Sequence, residues 1–261
     1  MRYCIFLFAL FFSASFGFAQ NGNWNITNAK GEKVGQWRDF YENGKLRYTG
    51  QFKEGQPYGT FRNFYSDGKI QAVREFVEPN FSKVRFYYQN GDIMAKGYYR
   101  GQQKDSLWQT FGADSAIVTE GNYLRDKKYG LWKVYFRNGK VSEETNFVDD
   151  LEDGSYRMYF DNGQVRQEGQ YEKGALHGIS VFYDPKGVKT MKGKYYRGVR
   201  HGKWVHYDDQ GILKKVVEYD MGKNLTDGDE EQMLDDDSEK FKSNKKDVLE
   251  FEDMRGKIKY D

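Results

Sequence analysis

The chain has 261 residues, with 41 Lys and Arg against 39 Asp and Glu for a net charge of +2, and its single cysteine is Cys4. Because Cys4 falls in an apolar leader, the mature chain has no thiol, which excludes disulfides, a thiolate nucleophile and cysteine metal sites. Charge is uneven: residues 226–261 hold 13 acidic and 7 basic residues, while residues 20–225 carry +7 with no concentrated basic stripe, a pattern that argues against a nucleic-acid partner.

In chain order, the first segment reads MRYCIFLFALFFSASFGFAQ, with Arg2 ahead of an apolar run from Tyr3 to Phe12 and small residues at Gly17 and Ala19. This is the pattern of a secretory signal over residues 1–19, cut after Ala19. The run falls short of the ~20 apolar residues a spanning helix needs, so no transmembrane segment is expected after cleavage. The mature protein is expected to be exported: periplasmic, cell-envelope or extracellular. Residues 20–34 fit the second half of a repeat and are expected to cap the array.

From Gly35 the chain repeats itself. Unit starts fall at Gly35, Gly59, Ser82, Ser106, Gly130, Gly154, Gly178 and Gly202, 24 residues apart except for one spacing of 23. Eight units therefore occupy residues 35–225. With the leading residue as position 0, positions 8 and 9 read Asn43-Gly44, Asp67-Gly68, Asn138-Gly139 and Asn162-Gly163, with related pairs in the other units. Asn-Gly and Asp-Gly suit two-residue type I′ hairpin turns, which need positive φ at both residues. Each unit is then a hairpin, joined to the next by a second, looser turn. The predicted fold is all-β, an elongated twisted antiparallel sheet of stacked hairpins.

A hairpin closed at positions 8 and 9 pairs position 2 with 15 and position 6 with 11. Position 2 is mostly a large ring (Trp37, Phe61, Trp108, Trp132, Tyr156, Trp204), and position 15 is glycine in five units, so ring over glycine is expected across the strand pair. Position 17 is aromatic in all eight units. Positions 2, 6, 11 and 17 together predict a packed seam on one face. Position 5 is aromatic throughout and, by alternation, belongs on the other face. There the candidate partner-binding residues are Tyr135, Tyr159, Tyr183 and Tyr207, amphipathic rings set among charged neighbours. Packing between hairpins is the competing role for these rings.

The pattern G-x-W-x-x-Y-F-x-N-G-K, clearest in Gly130–Asn146 and Gly154–Tyr171, resembles the MORN-repeat variant of bacterial proteins, some of them labelled antitoxins of toxin–antitoxin systems. The resemblance covers Gly35 to about Leu225 and implies hairpin repeats and a non-catalytic interaction role, with no catalytic residues to carry over. Ser82 and Ser106 depart from the leading glycine, and an export signal is at odds with a cytosolic antitoxin. Aromatic doublets before Asn-Gly also look like glucan-binding repeats, so a cell-surface glycan is the alternative to a protein partner.

The tail, residues 226–261, opens with the acidic run DGDEEQMLDDDSE, which lacks the spacing of a calcium loop and is expected to be solvated and partly disordered. His177 and His201 recur at one position about 10 Å apart by strand spacing, without a third ligand. No phosphate loop or nucleophile elbow appears, so no catalytic site, metal or cofactor is expected.

Overall fold

A computed structural model describes residues 23–226; the leader and the acidic run from Asp227 onward lie outside the described residues. Between those limits the structure is all-β. Eighteen antiparallel strands, from Ile26–Thr27 to Lys223–Asn224, form one open sheet in which each strand pairs with its predecessor and successor. At its start, the side chain of Asn28 accepts from the backbone N–H groups of Lys30 and Glu32, folding the chain into the first long strand, Lys33–Phe40.

The turns differ from the expected ones. At Asn138-Gly139, the carbonyl of Phe136 accepts from Gly139 N at 2.9 Å and Phe136 N donates to the Lys140 carbonyl at 2.8 Å. Gly139 has φ +81, while Asn138 is absent from the positive-φ residues. This is a three-residue loop, a type I turn followed by one left-handed residue, rather than type I′. The Asn138 side-chain oxygen accepts from Lys140 N at 3.0 Å, which holds the asparagine in the ordinary turn conformation. The joints between units are the tight turns: Asp149 and Asp150 have φ +53 and +72, and Lys173-Gly174 has +49 and +84, the two-positive pattern of type I′.

Register is corrected by a bulge. Gly130 pairs with Phe147 and Trp132 with Thr145 as positions 0–17 and 2–15 require, but Val134 pairs with Glu143 and Tyr135 with Val141, leaving Ser142 as an extra residue. A bulge turns the strand past one residue, so position 11 pairs with position 5 instead of 6 and leaves the packed seam. Ile70 and Leu213, at that position, are 41% and 58% exposed. The buried side is built instead from positions 2, 12, 13, 15 and 17, among them Trp108, Met94, Ala95 and Tyr123.

At four of the five glycines of position 15 the ring over the glycine comes from the following unit; at Gly169, where the following unit has Ser180, it is its own unit's Tyr156. A Cβ on Gly97 would fall closer than 3.0 Å to the Trp108 ring, and the same holds for Gly121 under Trp132 and Gly193 under Trp204; in each pair the ring comes from the following hairpin. Each indole N–H then donates to the carbonyl just after that glycine: Trp108 to Tyr98 at 2.9 Å, Trp132 to Asn122 at 3.0 Å and Trp204 to Lys194 at 3.1 Å. Position 17 meets these rings edge-on, as with Tyr123 and Trp132 at 5.0 Å. Edge-to-face geometry places the positive ring edge against the negative face.

Each tryptophan also carries a cation. Lys33, Lys104, Lys128 and Arg200 lie 4.7–4.9 Å from the centroids of Trp37, Trp108, Trp132 and Trp204. All four stand two residues before a unit start, and the units without tryptophan have Pro57, Asn80, Glu152 or Leu176 there. Where Val84 replaces the ring, the preceding unit places Arg74 at the glycine position, and its guanidinium donates to Ser82 Oγ at 2.7 Å and lies over Phe76 and Tyr99. At this joint the contact keeps a ring and a cation although its residues change places.

Candidate functional site

The opposite face carries the position 5 tyrosines, and the structure gives three of them one and the same partner. Tyr135 Oη donates to Glu120 at 2.6 Å, Tyr159 to Glu144 at 2.7 Å and Tyr183 to Glu168 at 2.9 Å. Each glutamate sits at position 14 of the preceding unit. It is also approached from position 3 of its own unit: Gln109 donates to Glu120 at 2.9 Å, Lys133 lies 3.7 Å from Glu144, and Arg157 donates to Glu168 at 3.1 Å. The result is a ladder of tyrosine, carboxylate and donor, repeated across three joints on one face.

Electrostatics follow the ladder. Burial pushes the Tyr135 phenol well above its ordinary 10.0, and the hydrogen bond to Glu120 and the charges of Glu120 and Glu144 add to this. Tyr159 and Tyr183 are raised by the same two causes, burial first and then the carboxylate each one meets. Conversely, the hydrogen bond from Tyr135 holds Glu120 below the usual carboxylate range, helped by Gln109 and Lys133 against a burial penalty. A carboxylate that accepts from both sides is stabilised in its charged form.

Tyr207 is placed on the same face without a rung. Position 14 of the unit before it is Lys192, and the cation near its ring is Lys189, at 5.6 Å. The three-membered ladder therefore ends where the preceding unit changes from glutamate to lysine. Glutamates 120, 144 and 168 were not singled out from the sequence, although a Glu fifteen residues before a Tyr recurs three times at the unit period.

Between the rungs, an open groove of about 500 Å³ runs across three units, lined by Leu131, Glu144, Asn146, Arg157, Glu168 and Ile179 among others. Leu131 and Ile179 are 42% and 55% exposed there. Exposed aliphatics beside half-buried tyrosines and fixed charges give a surface with an apolar centre and polar edges. Elsewhere, His177 and His201 flank the Tyr196 ring at 5.4 and 5.9 Å, and their nearest acids are Glu172 and Asp220 respectively. The structure shows no group of three or more metal-ligating side chains among the described residues.

An open sheet of stacked hairpins with a packed face and a polar face defines a repeat scaffold. The chain carries repeats of the MORN variant type at five positions: the family model described as MORN repeat variant matches residues 33–54, 83–100, 128–149, 152–173 and 200–221. Four of these five segments begin two residues before the leading glycine, at the place where Lys33, Lys128 and Arg200 sit. No curated protein matches. Solved structures that match include a mutant of S. aureus TarM in complex with fondaparinux, alpha-GlcNAc-glycerol and UDP, at 13% identity and TM-score 0.21, and a second TarM structure at 14% and 0.21. In both, the match covers 43% of this chain and 18% of the other, a likeness too slight to bear on fold or activity.

Proposed function

We propose that this protein is an exported, non-catalytic scaffold that holds a protein partner in the cell envelope, on the face that carries Tyr135, Tyr159, Tyr183 and Tyr207. The observation that supports it most is the ladder itself. Three tyrosine hydroxyls are held by three carboxylates at successive joints, and the rings stand beside exposed Leu131 and Ile179. Rings fixed in advance lose little entropy when a partner covers them. A repeat array of this kind offers its partner an extended surface, and no cofactor enters the account.

The export reading rests on the leader of residues 1–19. A glycan is the alternative occupant, favoured by exposed Tyr58, Tyr98 and Tyr129, whose rings are the kind of surface on which a sugar stacks. The test is to immobilise the mature chain and offer it, separately, envelope protein extract and purified cell-wall polysaccharide. Recovery of one protein at fixed stoichiometry supports the scaffold reading. Retention of polysaccharide with no protein at fixed ratio would replace it with the glycan reading.

A further inference from the structure

Charge along the array changes sign near its end. Residues 106–177 hold 9 Lys and Arg against 12 Asp and Glu, whereas residues 178–225 hold 10 against 5. Three of these lysines lie on the ladder face. Lys192 takes the position occupied by Glu120, Glu144 and Glu168 in earlier units, and Lys194 and Lys203 follow on the same face, all three exposed. Lys192 is paired across the sheet with Val181 and Val205, and Lys194 with Ile179 and His201. Lys203 lies opposite Glu218, yet no described carboxylate forms an ion pair with any of the three. Around them stand Tyr207 and the exposed Leu213 and Val216.

The chain itself supplies a matching segment one residue beyond the last described one. Asp227–Glu239 contains eight acidic residues and no basic one. We infer that this acidic run covers the lysine patch of the last two units, pairing its carboxylates with Lys192, Lys194 and Lys203. Reach is sufficient: the strand holding Lys192 and Lys194 is two strands from Leu213–Asp220, about 10 Å away at ordinary strand spacing. Thirteen residues of chain without fixed structure would span about 20 Å. The basic residues of the first units are a dozen strands away, about 60 Å along the sheet. Tethering at this distance gives the run an effective concentration in the millimolar range at the nearby patch, so a millimolar affinity, several ion pairs made together, suffices to hold it there. The contact is electrostatic and exposed, and salt weakens it.

Zero-length carbodiimide coupling of the full mature chain, read by peptide mass spectrometry, tests this, since it joins only carboxylates and amines already in ion-pair contact. The expected products are intramolecular links from residues 227–239 to Lys192, Lys194 and Lys203. Their yield should be independent of protein dilution and reduced several-fold by added salt. The triple variant Lys192→Gln, Lys194→Gln, Lys203→Gln, which touches only exposed side chains, should lose them without shifting the tail to other lysines in equal yield. Links spread evenly over Lys45, Lys69, Lys140 and the patch would overturn the inference, as would links found only between molecules.

Discussion

Replacing Gly121 by alanine tests the contact that joins one hairpin to the next. The added Cβ would come closer than 3.0 Å to the Trp132 ring, and no left-handed φ is involved at Gly121, so the whole effect is steric. Forcing a methyl into a filled contact costs about 1–3 kcal/mol. If the ring swings away, it gives up the hydrogen bond to the Asn122 carbonyl, about 0.5–1.5 kcal/mol. It also gives up the edge-on contact with Tyr123, worth about 0.5–1.5 kcal/mol. By either route Gly121→Ala should destabilise by about 1–3 kcal/mol, and Trp132→Ala by about 3–5 kcal/mol. The double variant should be no less stable than Trp132→Ala alone, because with the ring gone the methyl has room and alanine suits a strand better than glycine. Urea unfolding followed by far-ultraviolet circular dichroism measures all three, comparing midpoint and slope because stacked repeats need not unfold as one unit. Additive losses in the double variant would refute the contact between units.

Lys104, fully buried over Trp108 and Tyr123, should lose about 1–2 kcal/mol on Lys104→Met and little on Lys104→Arg, since Arg200 fills the same place over Trp204; thermal melting distinguishes them. The phenols of Tyr135, Tyr156, Tyr159, Tyr171, Tyr183 and Tyr195 are raised above 10.0, so the stability they confer is intact below about pH 10 and falls as pH rises toward their folded values. Phenolate absorbance titrated in native and urea-unfolded protein should show the native curve lagging, and coincident curves would contradict it. Glu120, held low, contributes in the opposite sense: its stability is present above the ordinary 4.5 and is lost as pH falls below it, and Glu120→Gln should flatten that acid limb of a melting profile. Mass spectrometry of the secreted product should find Gln20 as its first residue; an intact Met1 in the membrane fraction would contradict export.

The period, the strands and the existence of two unlike faces were legible because turn residues and aromatics recur every 24 positions. The turn type was not, because Asn-Gly serves both a two-residue loop and a three-residue loop ending on glycine, and the backbone bonds of Phe136 with the φ of Asn138 and Gly139 decide between them. The bulge at Ser142 left no mark in the residue pattern, since a small residue at one position is compatible with either register, and so Val141 and its counterparts were assigned to the wrong face. Cross-strand pairing alone also suggested that each glycine lies under its own unit's ring, which holds at Gly169 under Tyr156; at Gly50, Gly97, Gly121 and Gly193 the ring leans in from the following hairpin, a choice set by packing and not by register. The cations over tryptophan were legible after the fact, as Lys or Arg four residues before Trp in each of the four units that have one. The tyrosine–glutamate ladder was half legible: the rings were found, but their partners belong to the unit before and come into view only once neighbouring hairpins are set side by side.

The most direct test of the binding face is partner capture by the double variant Tyr159→Ala, Tyr183→Ala, compared with Trp132→Ala. Both tyrosines are half-buried and each loses one hydrogen bond to a carboxylate, from Tyr159 to Glu144 and from Tyr183 to Glu168. The account predicts strongly weakened capture of the envelope partner with a melting temperature close to that of the unaltered chain. Capture at the unaltered level, or unfolding as ready as that of Trp132→Ala, would contradict it and assign these rings to the packing of the sheet.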